Sequence, residues 1–151
     1  MERSMGGAAV LATIGMGTLL AAQVGVNGVL RDRTESAILA AMISTATSTT
    51  ALLLVTLLAR ERLPAFSQLS SAPWWIWTGG LMGALYVALA PVMAGRLGGA
   101  FFFALVLVGQ MVAALAIDHY GLMGFPQHDV NLSKVIGVGL LVAGVVLIRG
   151  V

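Results

Sequence analysis

The stretch AAVLATIGMGTLLAAQVGVNGVL, residues 8–30, decides what kind of protein this is. A helix rises about 1.5 Å per residue, so about 20 apolar residues in succession cross the roughly 30 Å hydrocarbon core of a bilayer. This run is long enough and carries no charge. A short charged head followed by an apolar stretch also describes a secretory signal peptide, whose apolar core ends after roughly 7–15 residues. Here the apolar run continues to Leu30, so it reads as a spanning helix.

Working outward, four more runs of the same kind cover about 37–59, 74–94, 97–117 and 132–148. The separators RDRTES, RERLPAFSQLSSAP, GR and DHYGLMGFPQHDVN leave no room for a soluble domain. The expectation is an all-α integral membrane protein, one transmembrane domain over residues 1–151 with five spans. Lipid offers no partner to a backbone amide, so each span must bond within itself as a helix. The short alternating strands of a closed barrel are missing from the sequence. Composition agrees: 59% of the 151 residues are hydrophobic and 9% charged, and mean hydropathy is +0.99.

The same composition excludes several functions. Eight basic and six acidic residues give a net charge of +2 with no basic run, which argues against nucleic-acid binding. The absence of cysteine removes disulfides, thiolate ligands and thiol catalysis. No intramembrane Ser and His pair and no two mid-span aspartates suggest hydrolysis, so an enzyme is not expected, nor is a cofactor. In DHYGLMGFPQHD, Asp118, His119, His128 and Asp129 do not have the spacing of a standard metal site. Gly121, Gly124 and Pro126 there read as a tight surface turn.

With five spans the basic residues can be counted by membrane face. Arg3, Arg60, Arg62 and Lys134 fall on one, Arg31, Arg33, Arg96 and Arg149 on the other. Orientation normally follows an excess of Lys and Arg on the cytoplasmic side. Four against four provides no such excess. Dual topology would explain the balance: identical chains insert both ways and pair antiparallel, supplying the inverted symmetry used in alternating access. Otherwise one or two basic residues near the first helix set a fixed orientation.

Polar groups within the spans are the candidate site. Gln23 and Asn27 are four apart and so lie about 40° apart on one helical face, which points into a bundle or a wet cavity. Gln110, midway along the fourth span, is the natural third member of a path, with Ser44 and Ser48 as lesser lining residues from STATSTT, residues 44–50. Amides donate and accept, so such a path suits a polar or zwitterionic solute. The other hydroxyls of STATSTT are expected to bond back to carbonyls one turn earlier. The alternative role for these amides is glue between helices. No span carries a mid-membrane charge, which disfavours simple proton-for-cation exchange and leaves Asp118, with His119 beside it, as the candidate coupling or gating group.

Other features read as architecture. Trp74, Trp75 and Trp77 mark a span boundary at headgroup level. Pro91 is positioned to free a carbonyl one turn earlier and kink its helix. Gly79 with Gly83, Ala84 with Ala88, and Gly95 with Gly99 form small-residue stripes suited to helix packing, and Gly137, Gly139 and Gly144 thin the last helix similarly.

QVGVNGVL, SAILAAMIS, PWWIWTGGLMGALYV and above all GQMVAALAIDHYGLMGFP followed by SKVIGVGLLVAGVVLI resemble the small five-helix, YdcZ-like members of the drug/metabolite transporter superfamily, over nearly the whole chain. Gln23, Asn27, Gln110 and Asp118 match polar motif positions of that family, while Thr47 stands where its pattern favours glycine. The resemblance implies a half-transporter in the bacterial cytoplasmic (inner) membrane, working as an antiparallel homodimer or with an oppositely oriented paralogous chain. The resulting expectation is a small secondary transporter or exporter of a polar metabolite or drug-like solute. The rival is a non-transporting membrane scaffold or regulatory subunit.

Overall fold

A computed structural model describes residues 2–150, with side chains from Gly6 onward. Its elements are α1 (Glu2–Thr34), α2 (Ala37–Leu58), the short α3 (Phe66–Ser70), α4 (Thr78–Leu97), α5 (Gly99–Tyr120) and α6 (Leu132–Arg149). Among the described residues, five stretches are long and apolar enough to cross a membrane: α1, α2, α4 with its preceding 3-10 turn, α5 and α6. At most 11% of the most apolar window of any span is buried. Most apolar side chains therefore face outward, as expected where lipid is the solvent.

The connections follow from local chemistry. Ser36 caps α2: the Leu39 N–H donates to Ser36 Oγ at 3.2 Å, and the Thr34 hydroxyl, 3.0 Å from Ser36 O, ties the preceding turn. At the far end of α2, Arg60 takes a left-handed backbone (φ 53°). The Arg60 N–H reaches Leu57 O and the Glu61 N–H reaches Thr56 O, so two terminal carbonyls are satisfied. The separator after α2 holds α3, which hydropathy did not reveal. Gln68 Oε1 accepts from the Ala65 N–H at its start. Trp74–Trp77 form a 3-10 turn leading into α4, and all three indoles are exposed, as boundary anchors require. α4 remains helical through Pro91.

The chain divides into two compact units, Met1–Val92 and Met93–Val151. In the first, α1 packs directly on α2. The covered positions of α1 repeat every three or four residues through Leu20, Val24, Asn27, Arg31 and Thr34, one stripe along the helix. The opposing positions on α2 are Ala40, Ala41 and Ser44, small enough to let the helices approach. Away from the turn this cover stops: residues 6–19 of α1 are exposed, as is α2 beyond Thr45 apart from Thr56. In the second unit α5 and α6 pack together along their length, with Ala104, Val108, Met111, Leu115 and Asp118 on α5 partly covered, and Lys134, Val138, Leu141 and Val145 on α6.

The small-residue stripes make no close helix contact among the described residues. A Cβ built on Gly79, Gly83, Gly137, Gly139 or Gly144 would meet nothing within 4 Å. Ala84 is exposed and Ala88 half-covered. Within the described residues these glycines do not bring one helix against another.

Candidate functional site

The first unit gathers its polar groups near the α1/α2 turn. Asn27 is seven residues from the end of α1 and Ser44 seven from the start of α2, so in a packed hairpin both lie about 10 Å from the connection. Asn27 is only 5% exposed and makes no side-chain hydrogen bond among the described residues, although its polar atoms are not fully closed off as Tyr86 Oη and His119 Nδ1 are. Ser44 is half-covered and likewise unpartnered. Burying a polar group without a partner costs on the order of 1–3 kcal/mol, so such a group is normally paired or held ready for something that binds.

The rest of STATSTT behaves as helix chemistry predicts. The hydroxyls of Thr45, Thr47, Ser48, Thr49 and Thr50 donate to carbonyls one turn earlier at 2.8–3.0 Å. Ser48 Oγ is thus occupied by Ser44 O and exposed. The two serines named from the sequence are therefore chemically unequal: Ser44 has its hydroxyl free and Ser48 does not.

α4 joins this site through one contact. Arg31 Nη1 donates to Pro91 O at 3.0 Å, while Arg31 Nε and Nη2 hold Asp32 Oδ1 at 3.0 and 2.7 Å. The planar fork serves both partners at once. Ala90 and Pro91 are buried beside this contact. Five residues earlier on α4 is Tyr86, whose hydroxyl oxygen is buried without a partner. Five residues rise about 7.5 Å along a helix, so Tyr86 lies that much farther from the C-terminal end of α4 than Pro91. Sequence reading missed Tyr86 because a lone tyrosine in an apolar span looks like packing; only the orphaned oxygen distinguishes it.

Gln23, one turn from Asn27, is half-covered. Gln110 belongs to the second unit and stands at the centre of α5, exposed and unpartnered among the described residues. Asp118 and His119 lie at the end of the same helix. His119 Nδ1 is buried without a hydrogen bond, 4.0 Å from Asp129 Oδ1, and its ring meets Tyr120 edge-on at 4.9 Å. The following loop folds back over the helix end: the His128 N–H donates to Asp118 O at 2.8 Å and Gln127 Nε2 to His119 O at 2.9 Å. Among the described residues, no three His, Asp or Glu side chains converge as metal ligands would.

Five apolar spans with few polar and no charged side chains midway along them make this a small helical membrane protein. The chain belongs to the YdcZ family of drug/metabolite transporters: the family model described as "Putative inner membrane exporter, YdcZ" matches residues 8–147. It is accordingly an inner-membrane protein of an exporter family, and that family is not an enzyme class. Comparisons with curated proteins and with solved structures returned no match.

Proposed function

We propose that the chain is a secondary exporter of an uncharged polar or zwitterionic solute, a metabolite or a drug-like molecule, working as an antiparallel pair of copies. The observation that carries this reading is Asn27: a 95%-covered amide in an apolar span, unpartnered, with the free Ser44 hydroxyl at matching depth and the orphaned Tyr86 hydroxyl on α4. These groups donate and accept without a fixed charge, so they select by hydrogen bonding. Gln23 extends the path by one turn.

Gln110 supports the second half of the proposal. An amide exposed at the centre of a span would meet hydrocarbon, which offers it no partner. A second chain, or a wet path shared with it, removes that cost. The balanced arginines and lysines are consistent with a partner inserted the opposite way.

Two measurements test this. A single cysteine placed after Val151, probed with an impermeant thiol reagent on intact and then lysed cells, should be about half accessible from outside; labelling that is all or none would refute dual topology. In proteoliposomes loaded with a panel of polar and zwitterionic solutes, Gln110→Ala should reduce transport at least about tenfold, the worth of one lost hydrogen bond. Unchanged flux in a correctly inserted variant would remove Gln110 from the path, and loss of the oligomer in detergent would assign it to assembly.

A further inference from the structure

The α5/α6 pair encloses a cleft of about 440 Å³ that the export reading does not use. Asp118 and Lys134 line it at one end, Asp118 two residues before the close of α5 and Lys134 two after the opening of α6. Charges so near the ends of two spans stand at headgroup depth. Below them, Met111, Leu115, Val138 and Leu141 form apolar walls running about 10 Å toward the middle of the bilayer. Gly137 borders the cleft as well, and a Cβ there would meet nothing within 4 Å, so no neighbouring helix fills the space.

The two charges are not spent on each other. Among the described residues they form no ion pair together. Lys134 Nζ donates one N–H to Asp129 O at 3.0 Å and has two N–H groups left to give. The Asp118 carboxylate makes no hydrogen bond among the described residues; only its backbone carbonyl is engaged, by the Gly121 and His128 N–H groups. A carboxylate and an ammonium that both line one end of an apolar slot without pairing complement a molecule with a cation and an anion at one end and hydrocarbon at the other.

We infer that this cleft binds a phospholipid of the surrounding bilayer with a phosphoethanolamine headgroup. Lys134 meets the phosphate and Asp118 the primary ammonium, while one acyl chain lies between α5 and α6 over Gly137. The ammonium N–H groups can each form a charge-assisted hydrogen bond to the carboxylate. A quaternary choline has no N–H to give, and a headgroup bearing only negative charge would face Asp118 with like charge.

The test uses the full chain, delipidated in detergent and titrated with phosphatidylethanolamine, phosphatidylcholine or phosphatidylglycerol, with lipid occupancy counted by native mass spectrometry. The wild type should retain phosphatidylethanolamine about tenfold more tightly than the other two, the difference expected of one charge-assisted bond. D118N should erase the preference between ethanolamine and choline lipids, and K134Q should weaken all three. G137L fills the slot while improving helix propensity, so it should lower occupancy without lowering the thermal midpoint. Equal retention of the three lipids by the wild type, or unchanged selectivity in D118N, would overturn the assignment. So would a disulfide-linked dimer of V138C in native membranes, which would put a second copy in the cleft; the chain has no other cysteine to confuse that result. Lipid occupancy is read independently of transport, so this inference and the export reading stand or fall separately.

Discussion

The α1/α2 pair and the α5/α6 pair are both antiparallel, both apolar, and built differently. α5 and α6 cover each other along their length, and a loop with three left-handed residues, Gly121 (φ 58°), Met123 (φ 56°) and Gly124 (φ 81°), closes over their shared end. α1 and α2 touch only near their turn, where Ala40 and Ala41 allow close approach, and most of the remaining surface of both helices is uncovered by the chain. The difference teaches where function can reside. The α5/α6 pair keeps its open space in one cleft that begins at a span end, whereas the α1/α2 pair is joined near its turn and holds the covered amide of Asn27 beside that joint. Helix association in lipid rests on close packing and interhelical hydrogen bonds rather than on a hydrophobic drive, so an uncovered helix half is not a defect to be repaired by collapse.

The sharpest way to break this comparison is Asn27→Leu, which keeps the size of the side chain and removes its polarity. Solute flux in proteoliposomes should fall between about tenfold and a hundredfold, as one or two hydrogen bonds are lost. The thermal midpoint should hold or rise, because a buried unpartnered amide is replaced by an apolar group. A lower midpoint with intact flux would show Asn27 to be structural.

Next in size is Gly121→Ala. Gly121 ends α5 in the left-handed region, and an added Cβ would stand 3.4 Å from the Gln127 Cβ. The strain should cost about 1–2 kcal/mol, read as a lower midpoint by calorimetry in nanodiscs, with flux per folded molecule unchanged if the second pair is the rigid one. Arg31→Lys keeps the charge balance between the faces but cannot hold Asp32 and Pro91 O with one planar fork. A loss of about 1 kcal/mol is expected, since the group is partly solvated, and a larger loss would mean that α4 depends on this contact more than on the packing of Ala90 and Pro91. The smallest effect separates two serines: Ser44→Ala should reduce flux a few-fold, and Ser48→Ala, whose hydroxyl already serves Ser44 O, should leave it unchanged. Equal effects would remove the distinction between them.

Much of this was legible in the residues. The five spans came from run length and hydropathy, and the tryptophans at the start of α4 from their amphipathic rings. The backward-bonded hydroxyls of STATSTT followed from helix geometry alone. Gln23 and Asn27 were placed on one face correctly, because a four-residue step fixes their angle. Hydropathy could not show α3, which is too short and too polar to register. Nor could it distinguish Ser44 from Ser48 or give Tyr86 a role, since each depends on where a neighbouring acceptor lies. The glycine stripes suggested close packing, but a stripe states only that approach is permitted, and within the described chain those faces remain open.

The sequence by itself determined that this protein lives in the bilayer as five helices, because the cost of an unpaired amide in hydrocarbon leaves an apolar run of that length no other choice. It also determined that polar side chains at mid-membrane are few, and therefore chemically expensive to keep. Which of them are paired, which are orphaned, and where each helix pair leaves a cleft were decided only by tertiary structure. Helical periodicity assigns a residue to a face, and only the neighbouring helix decides whether that face meets protein, lipid or solute.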